Sequence, residues 1–147
     1  MLKPIELCLV DRDHGVRDAL ARLLVALGPL NLGAEERNTV ELVLAEVLNN
    51  ILEHAYPGIG PLGTVRISVE ARSNGLHISV LDDGAPMPDG QAPLGTAQDL
   101  SMGVPDLPEG GFGWFLIRDL AKDVQYRRVA GHNQLDLRLA IALPRNH

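Results

Sequence analysis

The sequence is poor in cysteine, in aromatic residues and in long hydrophobic runs, and it has no excess of positive charge. Its single cysteine, Cys8, excludes an intramolecular disulfide, and its place in an apolar alternation predicts a small core residue. Only 3% of the residues are aromatic, so the core is expected to consist of Leu, Val, Ile and Ala.

Two further absences limit the classes of function. No apolar run approaches the roughly 20 residues of a membrane span, and residues 1–6 lack the layout of a signal peptide. We therefore expect a cytoplasmic protein without a membrane partner. The net charge of −6 argues against nonspecific nucleic-acid binding, which requires a basic surface. A chain of 147 residues fits one domain, expected to span 1–147.

Hydrophobic periodicity predicts the order of the structural elements. Alternating apolar residues indicate a first strand at 5–9, a strand pair joined at Ser73–Gly75 and two final strands. Two amphipathic helices lie between the first and second strands, and a third follows Gly113. This order predicts an α+β fold, a two-layer sandwich in which helices cover one face of a mixed sheet.

The second amphipathic helix carries a polar stripe. Glu46, Asn50 and His54 recur at four-residue intervals, beside an apolar face that includes Val47 and Leu48. A carboxylate can orient and deprotonate a hydroxyl group, and an amide oxygen one turn away can ligate Mg²⁺. A solvated helix face is the alternative interpretation of the same spacing.

Two glycine-containing segments supply a context for this stripe. Asp82 ends an alternating strand, where its carboxylate can accept a hydrogen bond from an exocyclic amine, and Gly84 allows close approach of a ligand. Gly111 and Gly113 lie in a glycine cluster that opens into a helix, a place suited to phosphate. Each segment alone is also compatible with an ordinary turn or loop.

Taken in order, Glu-x-x-x-Asn-x-x-x-His-Ala-Tyr, Asp-x-Gly-x-Pro and Gly-Gly-Phe-Gly resemble the Bergerat-type ATP-binding fold. Gyrase, the ninety-kilodalton chaperones, histidine kinases and mismatch-repair ATPases share this fold, known as the GHKL superfamily. The chain is most similar to its small anti-sigma-factor serine/threonine kinases, from about Ile5 to Leu143. The final hairpin, which contains Gly-x-Asn, is also similar to that branch.

The resemblance implies a role for each site residue, with ATP and Mg²⁺ as cofactors. Glu46 would be the general base, Asn50 the Mg²⁺ ligand, and His54 either a ligand contact or a structural residue. Asp82 would read the adenine amino group, with Gly84 beneath the base. Phosphate would be bound by Gly111 and Gly113. The proline- and glycine-containing loop at 87–109 would be a lid over the triphosphate, or else a simple surface excursion.

The resemblance also implies partners. The chain would phosphorylate a STAS-domain anti-sigma-factor antagonist on serine or threonine, would sequester a sigma factor or another target, and would form a homodimer. None of its five histidines lies in a second helical domain, which argues against a free-standing histidine kinase. A nucleotide-dependent binding module with little catalysis remains the alternative, and a small-molecule kinase has less support.

Overall fold

The structure is a computed structural model that describes residues 3–9, 15–56, 63–87, 111–141 and 143. The candidate lid at 87–109 lies outside these ranges except for its first residue, Met87. None of the described helices is long and apolar enough to cross a membrane. The extent of the single domain over 1–147 stays a prediction.

Two helices follow the first strand, β1 (Ile5–Cys8). Helix α1 is Gly15–Ala26, and a 3-10 turn at Gly28–Leu30 ends it, followed by Asn31 in the left-handed conformation. Helix α2 is Ala34–Asn50, with Glu35 and Glu36 in its first turn, where carboxylates interact favourably with the helix dipole. Its last turn widens into a π-helix at Ile51–Ala55.

The remaining elements complete a five-stranded sheet with the order β1-β2-β3-β5-β4. Their bounds are β2 Val65–Arg72, β3 Gly75–Asp82, helix α3 Gly111–Leu120, β4 Lys122–Val129 and β5 His132–Leu139. The predicted turn between β2 and β3 is confirmed. Helix α3 begins three residues earlier than expected, so that Gly111 and Gly113 belong to its first turn.

The prediction of a mixed sheet is wrong, because every strand pairing in the described sheet is antiparallel. Strand β4 runs in the same direction as β3, which would make a parallel pair if the two were neighbours. The hairpin at Ala130–Gly131 instead inserts β5 between them, so that each strand has only antiparallel neighbours.

The helices cover one face of the sheet, as the α+β two-layer prediction requires. Apolar side chains at alternate strand positions point into this layer, where Ile67, Ile78 and Leu139 are fully buried. Val43, Leu44 and Leu48 of α2 are buried in the same core. The prediction of Cys8 as a core residue is wrong: it is exposed, because its position in β1 has the opposite parity from the half-buried Ile5 and Leu7.

Candidate functional site

A cavity lies where the end of α2 meets the ends of β3 and β5 and the start of α3. It is lined by polar groups from α2 with its π-helical end, from β3, from β4 and from β5, and by an apolar wall that includes Met87 and Trp114. Its polar lining consists of Asn50, His54, Asp82, Tyr126 and Asn133. A cavity with a large apolar wall and a few convergent polar groups has the usual character of a small-molecule site.

Asp82 lines this cavity and is only 3% exposed. The same alternation that buries Leu76, Ile78 and Val80 places it on the core face of β3. Burial raises the pKa of Asp82, while hydrogen bonds from Asn133 and from the Gly84 N–H oppose the rise. Both hydrogen bonds end on Oδ1, at 2.8 and 2.9 Å, and they leave Oδ2 as the acceptor for a ligand in the cavity.

Asn133 is a site residue that the sequence analysis missed. It is 4% exposed and pairs directly with Asp82 across the β3–β5 ladder. Its Nδ2 donates to Asp82 Oδ1 and to the Ala85 carbonyl, both at 2.8 Å. The sequence does hold a signal for it, because residue 133 has the same parity as Leu135 and Leu137 and therefore lies on the core face.

Two side chains of β4 connect this site to the loop after β3. Tyr126 donates its hydroxyl proton to Asn133 Oδ1 and accepts the Met87 N–H at 3.0 Å. Arg128 donates to Asn133 Oδ1 at 3.0 Å and to the Gly84 carbonyl at 2.7 Å. The hairpin and the loop are thereby joined through one hydrogen-bonded network.

Asn50, the predicted metal ligand, is 4% exposed and contributes to the cavity wall. Its Nδ2 donates to the Glu46 carbonyl at 2.7 Å, which fixes the orientation of the amide. Its Oδ1 is buried and has no hydrogen-bond partner among the described residues. Because an unpaired buried oxygen is costly, this atom fits a ligand such as a hard cation.

The other two members of the predicted stripe lie differently. Glu46 is half-buried one turn before Asn50 and is absent from the cavity lining that the described residues form. His54 lines the cavity but its side chain is 53% exposed, with Nε2 at 3.9 Å from the Glu53 carboxylate. The structure brings Asn50, His54 and Asp82 together in the cavity lining, whereas Glu46 is not part of the described lining.

The loop that follows β3 packs against the π-helix at Ile51–Ala55. The Ala85 N–H donates to the Ala55 carbonyl at 2.9 Å. A Cβ atom added to Gly84 would lie 2.5 Å from that carbonyl oxygen and 2.6 Å from the Ala55 Cβ. Close approach to the helix end therefore already requires glycine at position 84, apart from any role beneath a base.

The start of α3 faces the same cavity. Trp114 is 3% exposed and lines the cavity, as Met87 does. Gly111 and Gly113 lie in the first turn, where backbone N–H groups have no intrahelical partner and the helix dipole is positive. These N–H groups are suited to bind phosphate.

Comparison with known proteins agrees with this arrangement. Residues 10–139 match the family described as the histidine kinase-like ATPase domain. Because the match covers most of the chain, the protein belongs to this family, and the resemblance seen in the sequence motifs is confirmed. Membership in a family of ATPase domains implies the use of ATP.

Two relatives extend the comparison. The anti-sigma F factor of Geobacillus stearothermophilus is 28% identical over 112 residues, covering 73% of this chain and 72% of that protein. The serine-protein kinase RsbW of Bacillus cereus (strain AH820) is 29% identical over 117 residues, covering 77% and 71%.

One solved structure supports the fold. It contains the RsbU and RsbW domains of a Mycobacterium tuberculosis protein and superposes with a TM-score of 0.61 at 16% identity. The match covers 98% of this chain but only 33% of that one, so the chain spans about a third of that structure.

The packing of Gly84 on the helix end leads to a stability prediction. Gly84→Ala should lower the free energy of unfolding by about 1–3 kcal/mol, because its Cβ meets backbone that cannot move aside freely. Gly28→Ala is the matched control, since a Cβ there has open space and its effect should be small. Urea denaturation measures both. Equal free energies of unfolding for the two variants would show that the loop does not press on Ala55.

Proposed function

We propose that the protein is an ATP- and Mg²⁺-dependent serine/threonine protein kinase that acts in a partner-switching system. The observation that carries this proposal is the convergence of two buried groups on one cavity. Asp82 offers an acceptor oxygen for an amine, and Asn50 offers an unpaired oxygen for a cation. The family membership and the named relatives support the same assignment.

Asp82 reads the adenine ring in this proposal. Its Oδ1 is occupied by two donors, so Oδ2 accepts the exocyclic amine of adenine. The wall formed by Met87 and Trp114 covers the apolar ring. A 6-oxo purine would place its carbonyl oxygen against this carboxylate oxygen. Because both atoms are acceptors, binding of such a purine is disfavoured.

Asn50 Oδ1 holds Mg²⁺, and the N–H groups of Gly111 and Gly113 hold phosphate oxygens. The metal supplies charge neutralisation for the phosphates when it is bound. Asn50 is suited to this role because its own N–H group is already used by the Glu46 carbonyl, which keeps Oδ1 directed away from the helix backbone.

Glu46 acts as the general base that orients a serine or threonine hydroxyl of the protein substrate and takes its proton. The substrate in this proposal is a STAS-domain antagonist protein, and a sigma factor is the sequestered target. Similarity to an anti-sigma F factor and to a serine-protein kinase supports the sigma-factor target and serine phosphorylation. The STAS-domain substrate is what the resemblance in the sequence motifs implies. A homodimer and a cytoplasmic location stay predictions.

A nucleotide-dependent binding module is the second candidate function. The position of Glu46 favours it, because this carboxylate is absent from the described lining of the cavity that holds Asn50 and Asp82. Such a module would bind ATP and a partner protein but would transfer no phosphate.

The assignment of Asp82 leads to a binding prediction. Asp82→Asn must keep its carbonyl oxygen toward Asn133 and the Gly84 N–H, so its NH₂ group faces the adenine amine. ATP affinity should therefore fall by about 2–4 kcal/mol. Isothermal titration calorimetry measures the change. Asp83→Asn is the matched control, because Asp83 is exposed and outside the cavity lining. Unchanged ATP affinity in Asp82→Asn would contradict the adenine assignment.

The roles of Glu46 and Asn50 are separable by mutation. Glu46→Gln should leave ATP binding largely intact, while transfer of phosphate to the partner falls by roughly 10²- to 10⁴-fold. Asn50→Ala should weaken both Mg²⁺-dependent ATP binding and transfer, because the oxygen for the metal is removed. The assay is transfer from labelled ATP to a purified STAS-domain protein, with a binding measurement on each variant.

Exposed neighbours on the same helix provide controls for this pair. Asn49→Ala and Glu41→Gln should behave like the wild type. Equal transfer rates in Glu46→Gln and the wild type would place the base elsewhere. A wild-type protein that binds ATP and its partner but transfers no phosphate would establish the binding module.

A further inference from the structure

We propose that Asn133 is a positioning residue that sets the base selectivity of the nucleotide site, with Tyr126 and Arg128 fixing its orientation. This inference rests on the proposed function, since it concerns how Asp82 recognises adenine. It adds a specificity determinant on the β4–β5 hairpin to the residues that contact the ligand.

The amide of Asn133 is fully hydrogen-bonded. Its Nδ2 faces two acceptors, Asp82 Oδ1 and the Ala85 carbonyl, and its Oδ1 faces two donors, Tyr126 and Arg128. Rotation of the amide by 180° would place NH₂ against both donors and oxygen against both acceptors. The amide therefore has one orientation, in which it donates to Asp82.

The donors on the far side are themselves fixed. The Tyr126 hydroxyl accepts the Met87 N–H, so its proton is available for Asn133. The guanidinium of Arg128 can only donate hydrogen bonds, and it also binds the Gly84 carbonyl at 2.7 Å. The hydrogen bonds are thus all donated in one direction, from Tyr126 and Arg128 of β4 to Asn133 and from Asn133 to Asp82.

This direction of donation determines what Asp82 presents to the cavity. With Oδ1 held by Asn133 and by the Gly84 N–H, the carboxylate cannot rotate without breaking two hydrogen bonds. Oδ2 then remains an acceptor directed at the ligand. A purine with an amine at position 6 satisfies it, whereas a purine with a carbonyl oxygen there does not.

Loss of the Asn133 amide would change this preference. Burial raises the pKa of Asp82, and the Asn133 hydrogen bond is the largest contribution that opposes it. Asp83 raises this pKa further and Arg128 lowers it. Without Asn133, Asp82 is freer to rotate and to take a proton, and the resulting O–H can donate to a 6-oxo purine. Selectivity, and not only affinity, should therefore decline.

The experiment compares the Kd values for ATP and inosine triphosphate in the wild type and in Asn133→Ala. The selectivity ratio, defined as the Kd for inosine triphosphate divided by the Kd for ATP, should fall by about tenfold in the variant, since one hydrogen bond to a charged group is removed. A residue that only stabilised the fold would weaken both nucleotides equally and leave the ratio unchanged. That result, in a folded variant, would overturn the proposal.

Gln134→Ala is the matched control. Gln134 follows Asn133 on β5 but binds Asp136 and lies outside the cavity lining, so its removal should preserve the ratio. If Asn133→Ala does not fold, Tyr126→Phe decides the question, because it removes one donor to Asn133 and keeps the ring. In Tyr126→Phe the Kd for inosine triphosphate divided by the Kd for ATP should fall by a few-fold. An unchanged ratio would overturn the proposal.

Absence of ATP binding by the wild type would reject the proposed function as a whole. Selective ATP binding by the wild type together with an unchanged ratio in the variants would reject only the role of Asn133.

Discussion

The hydrogen bond from Asn133 to Asp82 joins the two strands on which the site is built. The two residues are direct partners in the β3–β5 ladder and lie at its end, beside the cavity. A shift of one residue in either strand would turn that strand's member of the pair to the opposite face of the sheet and would separate the two side chains. The buried leucines and valines of the two strands therefore set the register, and the register places the polar pair.

Burial of three polar side chains in a small domain is unfavourable unless each finds partners. Asp82 and Asn133 satisfy each other, with help from the β4 hairpin and the Gly84 N–H. Asn50 differs, because its Oδ1 has no partner in the described part of the chain. The unsatisfied group lines the same cavity as the satisfied pair, and this asymmetry is consistent with a site that a ligand completes.

Much of the fold was accessible from the sequence, because alternation and helical periodicity are local properties. They placed Asp82 at the end of a strand and Asn50 beside the buried face of α2. The order of the strands was not accessible in this way, since the position of β5 between β3 and β4 depends on contacts between distant residues. The error about the mixed sheet has this origin.

Two features of the site also could not be predicted from local sequence patterns. The π-helix at Ile51–Ala55 breaks the four-residue spacing assumed for the polar stripe, and His54 within it is half-exposed. Asn133 has the parity of a core residue, but the Gly-x-Asn pattern by itself indicates only part of a hairpin. Its function becomes visible once the register with Asp82 is known.

We infer that the cavity between α2, β3 and β5 binds an adenine nucleotide. Trp114 tests it directly, because this residue is the only tryptophan of the chain and lines the cavity. The measurement is the emission of Trp114 during titration with ATP and, separately, with inosine triphosphate. We expect a saturable change with ATP and an affinity for inosine triphosphate lower by about tenfold or more. No change with ATP, or equal affinities for the two nucleotides, would contradict it.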